Sequence, residues 1–381
     1  MFKKSVTIFK ISGIPVKLHI SFLLILPFLA WAFGNNIKTL SEITSIEYST
    51  LSLDPYFLGL LLAIFLFFSV LMHEVSHSLV ARKQGVKIND ITLMLFGGVA
   101  QMDEISEEPK KEAWMAFSGP LFSLVFGFIL IQIAALFSSV LLPDFHLLIL
   151  YLGQLNLFLG FFNLLPAFPS DGGRILRAFL ARNRSFLEAT KIASGVGKGF
   201  AFLFGIVGLI SGNFILLFIA LFIFIGASQE YQTNLLKSTL SDFKVKDLMT
   251  EEVSTINENL NIKALLDKMF EERHSGYPVV DNEGELSGCV TMEDVQTVVQ
   301  EEHSTTRIKD IMTQHILKVH PDDSLFEAFK KISHADIGRL MVIEDGKLKG
   351  IITRSDIMKG FKLKQIKEME EENIKHNIDL R

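Results

Sequence analysis

The stretch Leu71–Ser78 reads LMHEVSHS, and it ends an apolar run, Tyr56–Met72, that contains no charged residue. An uncharged run of this length is typical of a helix that crosses a membrane. Two histidines and a glutamate are costly in such surroundings, and ionisable residues placed there generally serve a function. The stretch therefore predicts a membrane helix that carries a chemical site.

His73 and His77 are four residues apart, so on a helix they lie on one face, one turn from each other. Both imidazoles can then bind one metal ion, while Glu74 points to the side and can reach a water molecule without being a ligand. This is the HExxH arrangement of zinc hydrolases. The alternative is a chance pair of histidines satisfied by other polar groups, which the cost of polar residues in a membrane span disfavours.

A catalytic zinc ion usually has three protein ligands and one open position. The best candidate for the third ligand is Asp171 in the stretch PAFPSDGGR, Pro166–Arg174, which follows a later apolar run. The two prolines and the glycine pair predict a break in the helix there. Asp171 could instead be the N-cap of the helix that holds Arg177. Because the HExxH motif supplies only two ligands, the role of Asp171 as the third metal ligand is favoured.

The composition places the chain among membrane proteins, since 49% of its 381 residues are hydrophobic and 34 are phenylalanine. A net charge of −5 gives no indication of a nucleic-acid partner, and the single cysteine excludes an internal disulfide. Six spans in contact with lipid are predicted. They cover about 13–34, 56–80, 113–141, 146–165, 189–210 and 214–232.

Lysines and arginines concentrate before the first span and in every second connection, so the positive-inside rule predicts a multi-pass protein of the cell membrane with both termini in the cytoplasm. The segment Ile88–Glu104 is rich in strand-forming residues, contains Gly97-Gly98 and is too short to cross. It predicts a small β-hairpin associated with the membrane.

Beyond residue 240 charges become dense, and an internal repeat appears. Gly288–Asp294, GCVTMED, corresponds to Gly350–Asp356, GIITRSD. Each copy alternates helix-period and strand-period segments, which predicts a small α/β unit. The predicted domains are a membrane domain, two repeats and a charged tail. Their ranges are 1–235, 242–300, 305–362 and 363–381.

HEVSH in one span, followed by NLLPAFPSDGGR in a later one, resembles the site-2 protease family of intramembrane zinc metalloproteases. The resemblance implies one zinc ion per chain, held by His73, His77 and Asp171, with Glu74 as the catalytic base. It also implies substrate-binding roles for three residues beside the site, Asn163, Gly97 and Gly98. Many members of the family carry asparagine where this chain has Ser123, so a role for that position is left open.

The two repeats resemble a tandem pair of cystathionine-β-synthase (CBS) domains. This resemblance implies that an adenine nucleotide, ATP or AMP, faces Thr291, Asp294, Thr353 and Asp356, and that the pair can form a homodimer. The same residues could simply cap helices.

The expected activity is therefore cleavage of peptide bonds in or near the transmembrane segments of membrane-tethered regulatory proteins, with modulation by nucleotide. The alternative is a CBS-regulated membrane transporter or channel.

Overall fold

The computed structural model of the protein describes residues 5–95, 97–103 and 107–379, the residues from 367 onward by backbone only. The chain divides into two compact units, Met1–Gln232 and Thr233–Arg381. The boundary between them lies close to the predicted end of the membrane domain at residue 235.

Six described helices, which begin in the first unit, are long and apolar enough to cross a membrane. They are α1 (Phe22–Ile43), α2 (Pro55–Lys83), α3 (Pro109–Leu136), α4 (Pro143–Asn163), α6 (Phe186–Ser211) and α7 (Phe214–Ser241), with the short helix α5 (Asp171–Leu180) between α4 and α6. The predicted polytopic helical class is confirmed. The sixth helix continues past the predicted end at 232, as far as Ser241.

The predicted start of the first span at residue 13 is wrong. Two strands, β1 (Ser5–Ile11) and β2 (Ile14–His19), form an antiparallel hairpin, and α1 begins only at Phe22. The connecting residues Ser12 and Gly13 both have positive φ, as a tight two-residue hairpin turn requires. In β2 the buried residues Ile14 and Val16 alternate with half-buried Pro15 and Lys17, as in a strand with one buried face.

The predicted hairpin in Ile88–Glu104 is present as β3 (Ile88–Met94) and β4 (Gly97–Met102); Phe96 and residues 104–106 lie outside the described residues. It forms half of a four-stranded sheet in the order β1-β2-β3-β4, in which β2 and β3 run parallel. One face of the sheet packs on α2. The contact is made by Ile14, Val16, Ile91 and Leu93 against Leu71 and Val75. Strand β4 lies at the edge of the sheet, beside the helix that carries HEVSH.

Helix α2 has clear local signals at both ends. Asp54 is its N-cap and accepts hydrogen bonds from the backbone N–H groups of Tyr56 and Phe57, and Pro55 occupies the first helical position. Arg82 and Lys83 lie in the last turn, where cations favour the negative end of the helix dipole. The motif thus lies on an uninterrupted helix, which fixes the spacing of its two histidines.

The second unit contains the two predicted α/β repeats, each with a three-stranded sheet and its own hydrophobic core. The elements of the first repeat are β5 (Ile256–Asn257), α8 (Ile262–Glu272), β6 (Gly276–Val280), β7 (Leu286–Thr291) and α9 (Met292–Val295). Those of the second are α10 (Ile308–Ile311), β8 (Lys318–Val319), α11 (Leu325–Ala335), β9 (Arg339–Glu344), β10 (Lys347–Thr353) and α12 (Arg354–Asp379). Helix α12 includes the predicted charged tail as far as Asp379.

Candidate metal centre and active site

The site is built on the buried face of α2. His73 and His77 are only 4% and 6% exposed, and their ring centroids lie 4.8 Å apart. The Nε2 atoms of both rings lie 3.2 Å from the same carboxylate oxygen, Oδ2 of Asp171. The structure therefore brings the three predicted ligands together, although 94 residues or more separate the aspartate from either histidine.

Asp171 reaches the histidines from the first turn of α5. Ser170 occupies the N-cap position of this helix, so the carboxylate of Asp171 is turned to the imidazoles and does not cap the helix. The preceding loop folds tightly over the first turn: a Cβ on Gly172 would lie 2.2 Å from the carbonyl oxygen of Leu165. Burial acts to raise the pKa of Asp171, but His77 and His73 stabilise the carboxylate and bring the pKa below its usual range.

The other nitrogen of each imidazole is held by helix α3. His77 Nδ1 lies 2.7 Å from the carbonyl oxygen of Met115 and His73 Nδ1 lies 2.9 Å from Ser123 Oγ. A carbonyl only accepts hydrogen bonds, so Nδ1 of His77 carries a proton; in the neutral imidazole Nε2 then keeps the lone pair that a metal ion would bind. Such outer contacts orient metal-binding histidines. Ser123, whose role was left open, therefore lies directly behind His73.

Glycine is required where α3 passes the two rings. A Cβ on Gly119 would lie 2.2 Å from Nε2 of His77 and 2.6 Å from Nε2 of His73. Sequence analysis did not single out this residue, because its importance depends only on the helix that packs against it. The absence of a side chain leaves the space beside both nitrogens open.

The three side chains fit zinc. Two ligand atoms bound tetrahedrally to zinc at about 2.0–2.1 Å are about 3.3 Å from each other. The two 3.2 Å separations between Nε2 atoms and Asp171 Oδ2 match this value. Two imidazoles and one carboxylate are also a usual ligand set of catalytic zinc.

Glu74 lies between the metal centre and the edge strand. It is half-buried, and a Cβ on Gly98 of β4 would lie only 2.6 Å from its Cγ atom. The Asp171 carboxylate and the two imidazoles, together with Arg174 one turn beyond Asp171, are close enough to act on it electrostatically. Glu74 is therefore next to the ligands and to β4 without belonging to the ligand group.

The three predicted substrate-binding residues have different surroundings in the structure. Gly98 contacts Glu74, whereas Gly97, at a φ of 123°, has Val70 as its nearest neighbour, at 3.9 Å from an added Cβ. Asn163 ends α4, and its side-chain amide donates a hydrogen bond to the carbonyl oxygen of Leu159 in the same helix. Gly98 is thus placed directly against the predicted catalytic base.

The four predicted nucleotide-binding residues form two identical helix caps. The Thr291 hydroxyl donates to Asp294 Oδ2 at 2.8 Å, and the Thr353 hydroxyl donates to Asp356 Oδ2 at 2.6 Å. Each aspartate also accepts the backbone N–H of its threonine. The capping alternative is thus realised in this state, and nucleotide binding stays a prediction.

Sequence analysis missed a buried charge network beside the site. Arg177 of α5 contacts Glu112 of α3 and Glu230 of α7, and its side chain is only 7% exposed. Charged residues next to apolar runs were the available signal. Their partners are remote in the chain, so the sequence does not show which charges meet.

The fold and site define a polytopic membrane protein with a metallopeptidase centre. Residues 61–146 and 142–206 match peptidase family M50, and residues 245–301 and 308–362 match the CBS domain family. A zinc metalloprotease of Methanocaldococcus jannaschii is 38% identical over 364 residues, covering 96% of this chain and 98% of the relative. The chain therefore belongs to the M50 zinc metalloproteases, the site-2 protease family, with tandem CBS domains. This membership decides against the transporter or channel alternative.

Two solved structures are also similar. The site-2 protease from Methanocaldococcus jannaschii is 40% identical, with a TM-score of 0.41, over 60% of this chain and 95% of that chain. The CBS domain of a bacterial CNNM/CorC family Mg2+ transporter, in complex with ATP, is 20% identical with a TM-score of 0.31. It covers 34% of this chain and 96% of that chain.

Proposed function

We propose that this protein cleaves peptide bonds in or near the transmembrane segments of membrane-tethered regulatory proteins. We further propose that His73, His77 and Asp171 hold one zinc ion and that Glu74 is the general base. The observation that carries the proposal is the convergence of two Nε2 atoms and one carboxylate oxygen beside Glu74 and an edge strand.

Bound zinc supplies a Lewis acid that polarises a carbonyl oxygen and lowers the pKa of a water molecule to about 7. The residues of the chain provide the rest. Glu74 takes the proton of the attacking water and delivers it to the leaving amide nitrogen as the peptide bond breaks. Met115 and Ser123 keep the two imidazoles oriented, so that their Nε2 atoms stay directed at the centre.

The substrate must be extended at the cut site, because the carbonyl groups of an intact helix are already hydrogen-bonded. Among the described strands, β4 pairs with β3 alone, and its Val99 is 43% exposed. An extended peptide can add to such an edge as a further strand, and its amide groups then run alongside Glu74. Gly98 permits the close approach, since any side chain there would displace the Glu74 side chain.

The distribution of lysine and arginine supports cytoplasmic termini, and the catalytic water would then reach the site from the cytoplasmic side. For the CBS pair we propose that ATP or AMP binds where the two threonine–aspartate caps lie, and that the pair can dimerise. Binding would exchange the internal hydrogen bonds of the caps for bonds to ribose hydroxyls. Nucleotide alters cleavage only if it binds one arrangement of the protein better than another.

The proposal is tested by measuring the zinc content of the purified protein and its cleavage of a model transmembrane peptide. Alanine at any of the three ligand positions is expected to lower bound zinc and abolish cleavage. Glu74→Gln is expected to retain zinc and lose the rate, because an amide cannot accept the proton. Full cleavage by any of these four variants would contradict the assignment.

A further inference from the structure

Arg177 connects the helix that presents Asp171 to two membrane helices. Its Nε atom donates to Glu112 Oε1 at 2.8 Å, and a second guanidinium nitrogen contacts the same oxygen. A third nitrogen donates to Glu230 Oε1 at 2.6 Å. Helix α5 is thus joined to α3 through one carboxylate and to α7 through the other.

The same guanidinium also holds the loop before Asp171. Its central carbon lies 5.1 Å from the ring centroid of Phe168 and 4.5 Å from that of Phe186, which is cation–π distance. Phe168 is 1% exposed and packs against Ala193 of α6 and Ala227 of α7. The loop that leads to Asp171 is therefore packed between α5, α6 and α7.

This network acts on both halves of the ligand set. Arg177 lies on the helix that begins with Asp171, and its partner Glu112 lies on α3, one turn before Met115. Met115 accepts the hydrogen bond that orients one of the histidines. Arg177 thereby connects the element that supplies the carboxylate ligand to the element that orients the imidazoles.

Stability alone does not account for the arrangement. Removing charged groups from water is costly, and well-packed apolar side chains often replace a buried ion pair without loss of stability. The planar guanidinium does fix geometry, because its donors point in set directions: two of them meet one oxygen of Glu112 and a third meets Glu230. A metal centre needs that precision in its outer contacts.

We propose that Arg177 is a positioning residue of the metal centre: through Glu112 and Glu230 it fixes Asp171 relative to the two histidines. The inference rests on the proposed ligand set. It assigns no contact between Arg177 and the metal or the substrate.

The test uses full-length protein in detergent and cobalt as a spectroscopic substitute for zinc. Zinc affinity is measured by chelator competition, and the visible spectrum of the cobalt form reports the coordination of the ion. Arg177→Met is expected to lower zinc affinity about 10–100-fold and to alter the cobalt spectrum. Glu230→Gln should shift both in the same direction by less, and Arg177→Lys should recover part of the affinity, because lysine keeps the charge without the planar guanidinium.

Asp144→Asn is the matched control. Asp144 is a buried carboxylate of the same unit, 3% exposed, that accepts hydrogen bonds from the backbone N–H groups of Ser52 and Leu53. This variant is expected to lower the unfolding temperature and leave the zinc affinity and the cobalt spectrum of the folded protein unchanged. A general loss of stability is thereby separated from a change at the metal centre.

Wild-type affinity and spectrum in folded Arg177→Met would overturn the proposal. If that variant does not fold, Glu230→Gln decides, since it leaves the contact between Arg177 and Glu112 intact; an unchanged affinity and spectrum would then overturn it. Failure of the ligand set itself is recognised separately, because His77→Ala would in that case bind zinc as the wild type does.

Discussion

Replacing Gly119 by alanine tests the geometry of the metal centre with a single methyl group. The added Cβ would lie 2.2 Å from Nε2 of His77 and 2.6 Å from Nε2 of His73. Non-bonded atoms prefer about 3.5 Å or more, so the His77 ring must retreat by about 1 Å. That displacement is half of a zinc–nitrogen bond length of about 2 Å.

Neither ring can retreat freely, because each is held from behind. Moving His77 weakens its 2.7 Å hydrogen bond to Met115, and moving His73 weakens its 2.9 Å contact with Ser123. Apparent binding free energies of about 10–16 kcal/mol for zinc sites with four ligands correspond to about 3 kcal/mol for each ligand. Misplacing one histidine is therefore expected to weaken zinc binding on the order of 100-fold.

Helix formation itself should not suffer, since alanine is preferred over glycine by about 1 kcal/mol in a helix. The control is Gly199→Ala on α6, where an added Cβ would have no neighbour within 4 Å. Zinc per chain, chelator competition and cleavage of a transmembrane peptide are measured on both variants. A full zinc complement and a wild-type rate in Gly119→Ala would refute the reasoning, as would equal losses in the two variants.

Three further outcomes are expected. Proline at Val99 and proline at Ala100 should have different effects, because the N–H groups of neighbouring residues in a strand point to opposite sides. Proline at the residue whose N–H faces β3 breaks the pairing with β3. Proline at the other residue keeps the fold and the zinc but loses peptide cleavage. Equal, normal cleavage by both would exclude strand addition at β4. A chelator should abolish cleavage and added zinc restore it; activity that survives removal of the metal would contradict a zinc mechanism. ATP or AMP should bind with measurable heat and change the cleavage rate at constant magnesium, and both effects should vanish in Asp294→Ala/Asp356→Ala. The matching double asparagine variant can keep the helix caps, so it separates a loss of binding from a loss of stability. An absence of binding heat in the wild type would exclude regulation by nucleotide.

Proline within strand β3 would not test substrate pairing. Leu93, for example, pairs with Leu18 of β2 and with Gly98 of β4 and is 6% exposed. It lies in an interior strand, where proline removes a ladder hydrogen bond. Such a variant would report on the integrity of the sheet, and the edge strand is the better place to test substrate pairing.

Local features of the sequence were sufficient for the helical spans, the repeat and the metal motif. A span is recognised from uninterrupted apolar length, and the spacing of His73 and His77 already places them on one face of a helix. The repeat is visible because its two copies share their residues in the same order. These features depend on neighbours in the chain, so no knowledge of packing was needed.

Contacts between distant segments were decided only by the tertiary structure. Residues 13–21 were predicted to begin the first span, but they include Lys17 and His19, and strand β2 within them pairs with β3, more than 70 residues away. Asp171 could have capped its own helix until the fold placed it 3.2 Å from both imidazoles. Gly119 and Arg177 acquire their importance solely from the helices packed against them. The physical reason is that a ligand set, an open space or a buried ion pair is defined by distances across the fold, and residue spacing along the chain does not encode those distances.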